Sequence, residues 1–199
     1  MNSRYMTLLI SVLMMMAVSL SAQTKKYDIK SGIVTFELVM KAGPTNITQK
    51  LVVSFDDYGM KECKDKYNGD KLTDSFLSDG KILYSVVHAK KIAHKRGDAL
   101  IGTEVRFDWN AISDKDKKEG RAVKIANMKV AGKDCEAYQT TTASGKSTFA
   151  GWSHILLYYD LHGTASQTTI TAVKIEENVN IPPAKFAIPA DYQVNDKGM

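Results

Sequence analysis

Two cysteines, four histidines and two adjacent carboxylate pairs are the groups that could do bond-making chemistry here, and their spacing argues against it. His88, His94, His154 and His162 are scattered. His88 and His94 are six apart, which would put them on one face if a single strand ran through both, but no cysteine or carboxylate completes a metal set. Asp56-Asp57 and Glu176-Glu177 are neighbours in sequence; on a strand such neighbours point to opposite faces, so neither pair makes a natural acid–base dyad. Gly-x-Ser-x-Gly, His-Glu-x-x-His, a phosphate loop and Gly-x-Gly-x-x-Gly are all absent. The expectation is a protein that is not an enzyme and needs neither metal nor cofactor.

Cys63 and Cys135 stand outside any Cys-x-x-Cys and beside no histidine, which argues against a catalytic thiol. In an oxidising compartment they could pair. The loop closed would be long, worth roughly 4 kcal/mol in the chain-entropy view. The alternative is two reduced thiols in separate strands.

The compartment follows from the first 22 of the 199 residues. Arg4 supplies a positive start, Met6 to Leu20 is apolar apart from Thr7, Ser11 and Ser19, and Ser21-Ala22 ends the run with small residues. This reads as a cleaved secretory signal peptide, shorter than a spanning helix. Residues 23–199 would then form one periplasmic domain. The net charge is +5, and one of those charges, Arg4, lies in the leader. The remaining excess is scattered, as in Lys115-Asp-Lys-Lys-Glu119. Nucleic acid is not an expected partner; transient contact with a membrane surface is compatible, and nothing fixes the oligomeric state.

The elements are mostly β. Ser31 to Met40 alternates, with Val34, Phe36, Leu38 and Met40 on one face. Asn46 to Phe55 does the same with Ile47, Leu51, Val53 and Phe55. Ser78-Asp-Gly-Lys81 reads as a hairpin turn before a strand from Lys81 to His88. From Val130 onward, runs rich in Thr, Val, Ile and Tyr alternate with Gly and Ser, as antiparallel strands do. Pro182, Pro183 and Pro189 make the closing segment an extended wrap and not a central strand. The period changes once. Asp98 can cap a helix, and Ile101, Val105, Trp109 and Ile112 recur every three or four residues, which predicts an amphipathic helix over Ala99 to Ser113. That stripe needs the sheet as its partner. The fold class is therefore α+β: about ten strands in a curved antiparallel sheet with one covering helix.

Several stretches then resemble a known group. They are Gly32-Ile-Val-Thr-Phe-Glu37, Phe55-Asp-Asp-Tyr-Gly59, Val130-Ala-Gly-Lys-Asp-Cys-Glu-Ala-Tyr138, Gly151-Trp152 before Ile155-Leu-Leu157, and Ile181-Pro-Pro-Ala-Lys-Phe-Ala-Ile-Pro189. Together they look like an uncharacterised branch of exported proteins with the fold of the outer-membrane lipoprotein carriers, the LolA/LolB-like group. The resemblance implies an incomplete (half) β-barrel with a cavity for a lipid-like or lipoprotein acyl chain, Ala99 to Ser113 serving as its lid. The residues expected to line that apolar cleft are Phe36, Leu38, Leu51, Val53, Ile82, Tyr84, Trp109 and Trp152. The competing expectation is an envelope interaction module whose concave face is filled by its own side chains.

Overall fold

The computed structural model describes residues 25–98, 107–143 and 145–196. The expected signal peptide lies outside them.

Among the described residues, twelve strands form one sheet in the order β12-β6-β5-β4-β3-β2-β1-β11-β10-β9-β8-β7. In chain order they are β1 Gly32–Ala42, β2 Thr45–Asp56, β3 Lys61–Asn68, β4 Lys71–Ser78, β5 Ile82–Val87 and β6 Ile92–Asp98, then β7 Ala122–Val130, β8 Lys133–Thr142, β9 Gly145–Trp152, β10 Ile155–Gly163, β11 Ser166–Glu177 and β12 Gln193–Asn195. Sequential hairpins account for nearly every pairing. The chain returns once, when β11 lies along β1, and only the short β12 is parallel to its neighbour, β6. The sheet is not closed into a barrel. It does roll at one end: β7 and β11 have three strands between them yet approach within 8 Å, Cα to Cα.

The roll has a reason in the side chains. Val34 and Phe36 of β1, Val53 and Phe55 of β2, Leu157 of β10, Ala150 of β9, and Ala137 and Cys135 of β8 share one apolar cluster. Phe55, Val34 and Leu157 are almost fully buried, each worth roughly 1.5–3 kcal/mol out of water. Bulges at Phe36, at Leu156/Tyr158 and between Ile125 and Met128 add the twist that curling requires. Tyr27 and Ile29, from the segment before β1, complete the cluster. The chain's own side chains thus cluster in the rolled interior.

The other side of the sheet is covered differently. Ile33, Ser54, Cys63, Leu77, Tyr84 and Lys95 stand opposite one another across β1 to β6, and directly opposed residues share a face. The C-terminal strap lies on this row. Val179, Ile181 and Phe186 pack with Cys63 and Ile33, while Ile188 and Tyr192 pack with Leu77, Val86, Ala93 and Tyr84. The proline-rich tail is the wrap its composition predicts.

The expected covering helix is not confirmed. Its first part, Ala99 to Arg106, lies outside the described residues. Phe107 and Asp108 are extended, and Trp109–Ala111 make one 3-10 turn. Asp108 accepts from the Asn110 amide at 2.8 Å and Ser113 caps a new element, so two local caps divide what periodicity read as one helix. The only α-helix among the described residues, α1 Asp114–Lys118, falls in the stretch that reads as a charged loop. Among the described residues the architecture is mostly sheet with short turns of helix, and an α+β class with a helical lid is not confirmed.

Cys63 and Cys135 are both free and buried. They sit in different clusters, Cys63 under the strap and Cys135 inside the roll, so the structure has the reduced alternative and not the disulfide. No single strand runs through His88 and His94. β5 ends at Val87, His88 opens a 3-10 turn, and His94 lies on β6.

Candidate functional site

The eight residues expected to line one cleft are not gathered into one place. Phe36, Leu51 and Val53 belong to the cluster in the roll, and Leu38 is half-buried two positions beyond Phe36. Tyr84 lies under the strap on the opposite face, packed with Leu77 and Val86. Ile82, half-buried at the start of β5, is opposite Asp98. Trp152 packs against the cluster in the roll and, with Trp109, also lines a cleft of about 410 Å³.

That cleft is built on an aromatic row. Tyr138, Phe149 and Tyr159 are directly opposed on β8, β9 and β10, and their rings follow at centroid distances of 5.0 and 5.1 Å. Phe107 stacks on Tyr138 at 5.2 Å, and Trp109 tilts against it at 5.6 Å. Such contacts add to simple burial because ring edges and faces carry opposite partial charge. Phe107 lies flat over Gly151, where any Cβ would overlap its ring. The glycine that punctuates β9 is therefore what lets the 107–110 segment close down on the sheet.

The rim is polar. Asp28, Asp108, Asp134 and Glu136 bring four carboxylates to the cleft, with His154 and Lys124. His154 Nδ1 and Asp28 Oδ2 are 3.0 Å apart; the Asp28 amide donates to the Ser153 carbonyl at 3.2 Å and the Phe107 amide to that of His154 at 3.1 Å. Ser153 and His154 form the two-residue turn from β9 to β10, both with positive φ, 49° and 64°. A tight hairpin wants this backbone, but Asn-Gly is the usual sequence for it. The turn thus holds a strained non-glycine pair in the cleft wall. Lysines lie over the tryptophans, Lys133 at 4.1 Å from the Trp152 ring and Lys117 at 5.2 Å from that of Trp109. Burial, aided by Asp108, pushes the Tyr138 phenol up. Aromatic walls with acceptors at the rim suit a ligand that has apolar faces and hydrogen-bond donors. Among the described residues no group of three or more His, Cys, Asp or Glu could hold a metal.

A second cleft, of about 310 Å³, lies over Phe36, Gln49, Lys50 and Val173. Sequence reasoning missed Phe107, the carboxylate rim and the Ser153-His154 turn. The signal was present in Gly151 followed by a turn lacking glycine.

No protein-family model matches the sequence, and no curated protein matches it either. Structural likeness is clear at the level of fold. An uncharacterised conserved protein from Thermus thermophilus superposes with a TM-score of 0.58 at 8% identity, covering 87% of this chain and 94% of that one. A LolA superfamily protein from Nitrosomonas europaea gives 0.38 at 8% identity over 82% and 92%. The MucA/MucB complex of Pseudomonas aeruginosa gives 0.46 at 11% identity over 86% of this chain and 59% of that chain. The likeness to the Thermus thermophilus protein is one of fold alone. No helix among the described residues is long and apolar enough to cross a membrane.

Proposed function

We propose that this chain is an exported, periplasmic, non-enzymatic binding protein of the cell envelope that takes its ligand at the Trp109–Trp152 cleft and not inside the roll. One observation carries this reading. The roll is occupied by its own residues, down to the inserted Tyr27, whereas the two tryptophans face an open space rimmed by carboxylates. Bare hydrocarbon gains little beside Asp28, Asp134 and Glu136, polar groups whose desolvation is costly. A polar partner with ring faces, such as a peptide or a sugar chain, gains both stacking and hydrogen bonds. This is the interaction-module alternative given a location.

A second reading keeps the lipid-like or lipoprotein acyl chain. The cleft over Phe36 favours it, because exposed Val173 and the Phe36 ring give that cleft an apolar lining. The two separate by experiment. Native mass spectrometry of protein purified from its own envelope, followed by lipid extraction, reports any bound acyl species. Titration with soluble peptides and oligosaccharides, read by tryptophan emission, reports the other class. We expect quenching that is lost in Trp109→Ala and Trp152→Ala. An acyl species retained by both variants would reject the cleft reading.

A further inference from the structure

The face of the sheet that begins in the roll does not end there. Ile175, Val34, Val53, Lys64, Phe76, Ser85 and His94 are directly opposed in one row across β11, β1, β2, β3, β4, β5 and β6. The first three are apolar and pack in the main cluster. From β3 onward the row changes character. Phe76 is 50% exposed, an unusual place for a phenylalanine ring in the middle of a sheet. Around it stand cations. Lys64 is opposite Phe76, and Lys66 is the next residue of β3 on that face. Arg96 is the extra residue of a bulge opposite Leu83/Tyr84, and its Nε donates to Ser85 Oγ at 3.1 Å. The bulge turns Arg96 onto the face that holds Phe76.

Among the described residues, two carboxylates on this face stand near the group. Glu62 accepts from Tyr27 and Lys26 and pairs with Lys64 at 3.6 Å, and Asp74 is opposite Lys66. Burial lowers Lys64 to about 8, with Glu62 acting against it. Two buried side-chain atoms among the described residues lack a hydrogen-bond partner, His94 Nδ1 and Gln49 Oε1. His94 belongs to this row, and Gln49 to the same face of β2, two residues from Leu51. Buried polar groups without partners are rare enough to ask what completes them.

We propose that this face of β3 to β6 docks on an anionic phospholipid surface, Phe76 entering the interface while Lys66 and Arg96 meet the headgroup phosphates. The proposal is independent of the Trp109–Trp152 cleft. An exposed aromatic among cations is the composition of interfacial binders, and each cation near an anionic surface contributes about a fivefold gain in affinity.

The test uses the mature chain and vesicle flotation. Phosphatidylglycerol mixed into phosphatidylcholine should capture the protein, and pure phosphatidylcholine should not. Arg96→Gln should weaken capture about fivefold, and Phe76→Ser should weaken it at unchanged charge. Lys174→Gln removes one exposed charge from β11, opposite Thr35 on the other face, and should leave capture intact. Circular dichroism checks the fold of each variant; Arg96 and Phe76 are exposed and tolerate change. Equal capture by phosphatidylcholine, or equal losses in Arg96→Gln and Lys174→Gln, would overturn the proposal. So would full competition by millimolar inorganic phosphate, which would make the row a site for a soluble oxyanion.

Discussion

Tyr27 donates its phenol to Glu62 at 2.5 Å, deep inside the protein and across 35 residues of sequence. Lys26 reaches the other oxygen of the same carboxylate at 2.7 Å. The segment that precedes the first strand is thereby fixed to β3 through one buried acid, while the Tyr27 ring meets Phe55 edge-on at 4.9 Å. Removing the hydroxyl in Tyr27→Phe leaves Glu62 short of a donor and should destabilise by about 2 kcal/mol. Glu62→Leu leaves Lys26 and Lys64 without their acid and should cost about 3 kcal/mol or more. Urea unfolding of both variants measures this; values within 0.5 kcal/mol of the parent, as for ordinary surface changes, would mean the segment is not anchored here.

The same cluster sets a pH dependence. Burial lowers Lys64 to about 8, against an ordinary 10.5. Between those values the unfolded chain holds a proton that the folded chain has released, so stability rises with pH. Burial pushes the Cys63 thiol up to about 12, and burial raises Cys135 as well. Above pH 9 the unfolded thiols lose protons that the folded ones keep, and stability falls. A gain of up to ~1.4 kcal/mol between pH 8 and 9 is expected, followed by a decline. Lys64→Met should remove the rise and keep the decline; a rise that persists in the variant would assign it to another group.

Much of this architecture could be read from alternation. Val34 and Phe36, and Val53 and Phe55, point inward as their spacing requires, and the three prolines make the tail a strap. What alternation could not show is which elements meet after the sheet rolls. Leu38 and Tyr84 are equally apolar in sequence, yet only pairing across several strands puts them on opposite faces. The stripe through Trp109 and Ile112 is helical in period, but Asp108 and Ser113 stop it with side-chain caps whose effect outweighs a four-residue repeat. The strap's polar anchors were equally hidden, because Asp65 and Lys185 are 120 residues apart.

Those anchors make a prediction about the strap. Lys185 pairs with Asp65, which also accepts from Ser75 at 2.5 Å; Ser75 in turn meets His88 at 2.8 Å, and His88 meets the Tyr192 hydroxyl at 2.9 Å. Burial alone would raise Asp65, but Lys185 and Ser75 hold its carboxyl below the usual range. Its contribution to stability is therefore present above the ordinary carboxylate pKa and lost as pH falls through the lowered one. Phe186 is buried beside Cys63. Phe186→Ala should destabilise by about 3 kcal/mol and open Cys63 to a thiol reagent, while Cys135 stays protected in the roll. Two thiols should react in denaturant and neither in the native parent. Selective labelling of Cys135 first would place the weak point in the roll.

Ser153 and His154 provide the last test. Both have positive φ, which costs an L-residue roughly 1–2 kcal/mol. A turn of this kind accepts Asn-Gly without that penalty. His154 is also tied to Asp28 at the cleft. If the strained pair persists for binding, Ser153→Asn with His154→Gly should raise stability by ~1 kcal/mol and weaken quenching of the cleft tryptophans by a bound peptide or sugar. Asp28→Asn in the parent turn should weaken binding without the gain in stability. A double variant that is less stable than the parent would show that the Asp28–His154 contact contributes more than the backbone strain costs, and the turn would then be structural.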